Sequence, residues 1–139
     1  MLAGLAREID HLELIVLVSP ITFRHPAVML KMAVTIDHMS RGRFALGIGT
    51  GWLDREHEIF GIPYPDMSER YEVAEEALGY LTAALASEPT VFDGRHFRLE
   101  PADIMPRPIG PIRLVVGGVG KTPTLAGRYA GEYNIYPGE

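Results

Sequence analysis

Two stretches of the sequence place glycines where an apolar strand should keep packing. In RFALGIGTGW, Arg43 to Trp52, apolar residues run into Gly47, Gly49 and Gly51 at alternate positions, followed by the chain's only tryptophan. In IRLVVGGVG the run ends in Gly117, Gly118 and Gly120. Glycine lets the backbone approach a ligand closely and adopt positive φ. A helix starting just beyond adds free N–H groups and the positive end of a dipole. Together these suit a phosphate. One such cluster is ordinarily a tight turn; two at the same end of neighbouring strands point to a ligand.

Neither stretch is a standard nucleotide fingerprint. Completing G-x-G-x-x-G requires glycine where Trp52 or Asp54 stands. GGVGKT, Gly117 to Thr122, is like the tail of a P-loop, but Val115 holds the place of its first glycine. This argues against a nucleoside triphosphatase and leaves Lys121 able to face a phosphate.

Other polar residues give weaker signals. The histidines are His11, His25, His38, His57 and His96, with no HExxH pair. His25, before Pro26, reads as a polar loop residue, and His38 as a helix-end residue that favours the dipole. Asp37 and Arg43 are expected to pair across a turn. Glu56, one helical turn past the glycine loop, is a candidate general acid whose ordinary reading is a solvated or ion-paired carboxylate. Trp52 either stacks on a flat ligand or plugs the mouth of the fold. No Ser-His-Asp or Cys-His set is legible. The chain has no cysteine, so disulfides and thiolate metal sites are excluded, and no metal site is expected.

The elements that must carry these residues follow from pattern. LELIVLV, Leu12 to Val18, is a continuous run suited to a strand buried on both faces. Pro26 can open a helix with Met29, Met32, Ala33 and Ile36 at helical spacing, stopping near Gly42. Phe44 to Ile48 is a second strand. DREHEIFGIPYPD reads as a loop with one short helical turn. Asp66 and Glu69 have capping-box spacing, and Tyr71, Ala74, Leu78, Leu81 and Leu85 form the apolar stripe of the best helix. VFDGRHFRLE signals a hairpin insertion near residues 90–100, and MPRPIGP a rigid linker. Ile112 to Gly118 is a third strand, KTPTLAGRYAG a short helix with Pro123 in its first turn, and EYNIYPG a fourth strand. Alternating strands and helices predict an α/β fold of right-handed βαβ units on a parallel sheet, as one domain over residues 1–139.

Composition sets the class of partner. Hydrophobic residues make up 47% of 139 and charged residues 22%, a globular balance, with net charge -5. The acidic balance without a basic run argues against nucleic acid. No apolar run reaches the ~20 residues of a membrane helix. The N-terminal MLAGLAREID does not read as a signal peptide, and a cytoplasmic location is expected.

FRHPAVMLKMAVTIDHMSRGRFALGIGTGWLDREHEIFGIPYP, followed by ERYEVAEEAL, resembles the bacterial luciferase-like flavin and deazaflavin oxidoreductases, and most closely the branch that uses coenzyme F420. Arg24, Pro26, Asp37, Ser40, Gly42, Arg43, Gly47, Gly49, Gly51, Trp52 and Glu56 match its pattern, and VFDGRHF, MPRPIGP, LVVGGVG and YAGEYNIY continue it in order. The resemblance implies a TIM-type (β/α) barrel, of which this chain supplies about four strands, roughly the third to sixth. Such a half barrel has two exposed sheet edges and is expected to self-associate as a homo-oligomer.

The same resemblance implies F420 as cofactor, with FMN as the alternative, and hydride transfer to or from a small-molecule substrate. FMN-dependent monooxygenation and a non-catalytic half barrel are the other readings. It places a non-prolyl cis peptide at Leu17–Val18, behind the cofactor ring. It puts Gly49, Thr50 and Gly51 near the cofactor, and Gly117, Gly118, Val119 and Gly120 around its phosphate. Trp52 falls on the substrate side, at a place where the family's sugar-phosphate dehydrogenases carry glutamate, which implies a different substrate.

Overall fold

A computed structural model describes residues 1–135. Its main sheet has four parallel strands: β1 (Leu14–Pro20), β2 (Phe44–Gly49), β5 (Arg113–Gly117) and β6 (Glu132–Asn134), in the order β1-β2-β5-β6. Five helices accompany them: α1 (Leu2–Glu8), α2 (Pro26–Ser40), α3 (Asp54–Phe60), α4 (Met67–Ala84) and α5 (Thr122–Tyr129). A small antiparallel hairpin, β3 (Phe92–Asp93) with β4 (Arg98–Leu99), lies between α4 and β5. Spatial neighbours in the sheet follow chain order, as βαβ units require. The α/β architecture expected from the sequence is therefore present.

One face of the sheet builds the core. Phe44, Leu46 and Ile48 of β2 and Leu114 and Val116 of β5 are buried against Met29, Leu30, Ala33 and Val34 of α2 and Ala74, Leu78 and Leu81 of α4. Alternation along a strand sends Ala45, Gly47, Gly49, Val115 and Gly117 to the opposite face. Leu78 and Leu81 are 0% exposed, so truncating either to alanine is a core deletion of about 2–5 kcal/mol.

Local chemistry explains the helix boundaries. His25 caps α2 by accepting from the Ala27 N–H through Nδ1 (3.1 Å), with Pro26 in the first turn, where a missing N–H costs nothing. The helix closes on Arg41 in the left-handed region (φ 58°), followed by Gly42. Asp66 caps α4 by accepting from the Glu69 N–H (3.0 Å).

Several expectations need correction. Residues 2–8, to which the sequence assigned no element, are helical. Strand β1 starts at Leu14 and runs to Pro20, which an edge strand tolerates. The buried stripe of α2 runs through Leu30 and Val34, while Met32 is 46% exposed, because both the sheet and α4 cover the helix. The segment after Trp52 holds two helical turns, not one. Strand β5 spans Arg113–Gly117, one residue shorter at each end than expected. Strand β6 spans only Glu132–Asn134, and the end of its expected run lies outside the described residues.

Asp37 and Arg43 do not pair. Asp37, 1% exposed, accepts the Ile109 N–H (2.7 Å) and so anchors the proline-rich linker on α2. Arg43 donates to the carbonyls of Ala6 (3.2 Å), Ile9 (2.7 Å) and Leu12, tying down the segment after α1. No helix among the described residues is long and apolar enough to cross a membrane.

Candidate cofactor site at the carboxyl ends of the strands

The two glycine clusters meet. Gly49 is the register partner of Gly117 across β2 and β5, and of Pro20 across β1 and β2. Both clusters therefore lie side by side at the carboxyl end of the sheet, where ligands bind in parallel α/β folds.

Beside them β1 is irregular. Its register against β2 shifts between Val16 and Ser19, and the Leu17–Val18 peptide is cis. Leu17 is 55% exposed, while Val18 turns across the glycines. A Cβ at Gly49 would lie 2.5 Å from Val18 Cγ2, and one at Gly117 would lie 2.8 Å from Val18 Cγ1. One at Gly47 would meet the Val16 carbonyl oxygen at 2.0 Å. The strand glycines thus make room for Val18 and for the bulged backbone of β1. This packing role is one the sequence reading did not assign to them.

The loop after β2 rests on a buried histidine. His57 is 1% exposed, with Nε2 2.7 Å from Thr22 Oγ1 and Nδ1 2.8 Å from the Leu53 carbonyl oxygen. A carbonyl only accepts, so Nδ1 donates to Leu53, while Nε2 shares a hydrogen bond with the threonine hydroxyl. Phe23 stacks on the ring at 4.8 Å and Tyr64 packs against it at 4.4 Å. Arg70, 5% exposed, donates through Nη1 to the Gly51 carbonyl (2.5 Å) and the Tyr64 hydroxyl (2.5 Å), with its guanidinium 3.9 Å from the Tyr64 ring centroid. The Gly51 and Leu53 carbonyls are therefore tied to Arg70 and His57. Trp52 is 84% exposed and plugs nothing among the described residues.

The loop after β5 presents backbone donors. Gly118 (φ 130°) and Gly120 (φ 70°) flank Val119, and all three are exposed. Lys121 caps α5, which follows at once. The N–H groups of Val119, Gly120 and Lys121 have no acceptor among the described residues. Three successive amides at the start of a helix suit a phosphate or another anion. No cluster of three potential metal ligands occurs among the described residues.

The structure thus brings Leu17, Val18, Gly49, Thr50, Gly51, Gly117, Gly118, Val119 and Gly120 to one end of the sheet, with Trp52 beside them. Glu56 sits in the first turn of α3, which follows the Gly49–Gly51 loop, and His38 donates to the Arg107 carbonyl (2.7 Å). Sequence reading missed His57, Arg70, Tyr64 and Thr22 as supports. EHEIF gave no usable signal, because its apolar residues Ile59 and Phe60 are 62% and 65% exposed while His57 is 1% exposed.

The profile of the luciferase-like monooxygenase family matches residues 1–136. The pyrimidine monooxygenase RutA of Pseudomonas syringae pv. syringae (strain B728a) is 31% identical over 137 residues, covering 97% of this chain and 38% of that protein. The F420-dependent glucose-6-phosphate dehydrogenase of Beutenbergia cavernae is 36% identical over 105 residues, covering 75% of this chain and 31% of that protein. The oxygenating constituent of 3,6-diketocamphane monooxygenase from Pseudomonas putida, solved with FMN, superposes with TM-score 0.75 at 19% identity, over 99% of this chain and 42% of that one. The chain therefore spans well under half the length of the relatives it matches. The structures it superposes on are TIM-barrel luciferase-like enzymes.

Proposed function

The chain belongs to the luciferase-like monooxygenase family, and we propose that it forms the cofactor-holding part of an F420-dependent oxidoreductase. The observation that carries this reading is the row of amides at Val119, Gly120 and Lys121 without an acceptor among the described residues, adjoining the Val18 bulge at one end of the sheet. The 36% identity to an F420-dependent dehydrogenase favours the deazaflavin.

The residues fit such a group. The amides of Val119, Gly120 and Lys121 would hold its phosphate, with the Lys121 ammonium adding charge. Val18 and Leu17 would back the ring from β1, and the Gly49–Thr50–Gly51 backbone, held at Gly51 by Arg70, would border it. Trp52, exposed beside this loop, would offer its face to the substrate. When bound, the cofactor supplies the two-electron chemistry, and the protein supplies binding and orientation. A sugar phosphate is disfavoured as substrate if, as the family resemblance implies, such dehydrogenases place glutamate where this chain has Trp52.

The test is equilibrium titration of the purified chain with F420 and, separately, FMN, followed by fluorescence. Saturable binding with F420 preferred supports the reading. Preference for FMN moves the assignment to the flavin-dependent reading, which the FMN-bound structural neighbour favours. Binding of neither overturns the cofactor site.

A further inference from the structure

Two tyrosine hydroxyls close on successive carbonyls of the loop after β5. Tyr133, on β6, donates to the Gly118 carbonyl oxygen at 2.5 Å. Tyr71, on α4, donates to the Val119 carbonyl oxygen at 2.9 Å. The Val119 oxygen also accepts from Thr122 Oγ1 (3.0 Å) and, at the limit of reach, from the Thr122 N–H (3.4 Å). The two rings come from different elements and grip adjacent peptide units.

In a planar trans peptide the C=O and the following N–H point in opposite directions. Fixing the Gly118 carbonyl therefore fixes the direction of the Val119 N–H, and fixing the Val119 carbonyl fixes that of the Gly120 N–H. These are two of the three amides without an acceptor among the described residues. The fit around Tyr71 is tight: a Cβ at Gly120 would lie 2.3 Å from its hydroxyl oxygen. The Lys121 ammonium sits 5.7 Å from the Tyr71 ring centroid, so a cation flanks the same loop.

We infer that Tyr71 and Tyr133 are positioning residues that aim the Val119 and Gly120 amides at the phosphate group of the ligand, making the site selective for phosphate-bearing over phosphate-free forms. This rests on the reading of the loop as a phosphate holder and adds the residues that set its geometry. Both tyrosines act through the backbone and touch no ligand. If instead they served only as packing rings, removing the hydroxyls would leave the amides and the phosphate preference unchanged.

The variants are Tyr71→Phe, Tyr133→Phe and the double variant, which keep both rings. The first probe is inorganic phosphate, followed through the amide resonances of Val119 and Gly120. The second is the ratio of affinities for FMN and riboflavin, which differ by the phosphate alone. In the wild-type chain phosphate should shift both resonances saturably. The double variant should bind phosphate about tenfold more weakly, the size expected from losing two hydrogen bonds. Its preference for FMN over riboflavin should fall by a similar factor, with riboflavin affinity unchanged. Equal weakening of FMN and riboflavin, or phosphate binding as in the wild type, overturns the inference. If phosphate binds through these amides and the double variant loses it while neither F420 nor FMN binds, the inference stands and the cofactor reading fails. If a cofactor binds with the Val119 and Gly120 resonances unmoved, the chain still binds a cofactor, but the loop is not its phosphate holder and the inference falls with that assignment.

Discussion

Val18 occupies the space that a side chain at Gly49 would need: a Cβ there would come within 2.5 Å of Val18 Cγ2. Gly49→Ala should therefore destabilise the fold by about 1–3 kcal/mol, as overpacking does. Adding Val18→Ala should recover part of that loss, with a coupling of about 0.5–3 kcal/mol between the sites. Gly47→Ala should not be recovered, because its Cβ would meet the backbone oxygen of Val16 at 2.0 Å. Denaturant unfolding of the single and double variants measures all three.

Glu76 clips the hairpin onto α4. Its carboxylate accepts the N–H groups of Arg95 (2.9 Å), His96 (2.7 Å) and Phe97 (3.2 Å). Burial pushes its pKa up, but these three bonds and the nearby His96 outweigh that and leave it below the usual glutamate value. A lowered folded value means the stabilisation is present above the unfolded value and is lost as pH falls through the folded one. Glu76→Gln should lower stability near neutral pH by roughly 1 kcal/mol, modest because the group is partly solvated. The gap between the two proteins should close on acidification. Thermal unfolding across pH 3–7 reads the difference.

Asp37 and Arg43 serve separate partners. Asp37→Ala would orphan the Ile109 N–H and should cost about 1–3 kcal/mol. Arg43→Ala should loosen the 6–12 segment, seen as faster hydrogen exchange there. The two losses should add, whereas a paired Asp37 and Arg43 would show strong coupling.

His57→Phe keeps the ring between Phe23 and Tyr64 but removes both hydrogen bonds. It should cost about 1–3 kcal/mol. It should also raise the exchange rate of amides in the 50–53 loop more than elsewhere, which hydrogen-exchange mass spectrometry would show.

Much of the fold was legible because its signals are local. The Pro26 start of α2, the Asp66 cap of α4, the Leu78 and Leu81 stripe and the hairpin around residues 90–100 each follow from a short pattern. The site was legible as far as its glycines. What those glycines do was not, because Val18 reaches Gly49 and Gly117 only once β1, β2 and β5 are adjacent. The roles of Tyr71 and Tyr133 were hidden for the same reason: each meets its carbonyl only once separate elements have packed together. Tyr71 read as the first residue of an apolar stripe, and its hydroxyl gave no sign of a separate task.

If the Gly118–Lys121 loop holds the phosphate end of a flavin-type cofactor, distorting that loop weakens binding. The most direct measurement is F420 and FMN affinity of Gly118→Leu against the wild type, with unfolding curves confirming that both are folded. Gly118 has φ 130°, and a side chain there would press on Thr122 at 3.3 Å, so the substitution distorts this loop first. The account predicts saturable binding by the wild type and a loss of at least about tenfold in the variant, some 1.4 kcal/mol. Unchanged affinity in a folded Gly118→Leu protein would contradict it.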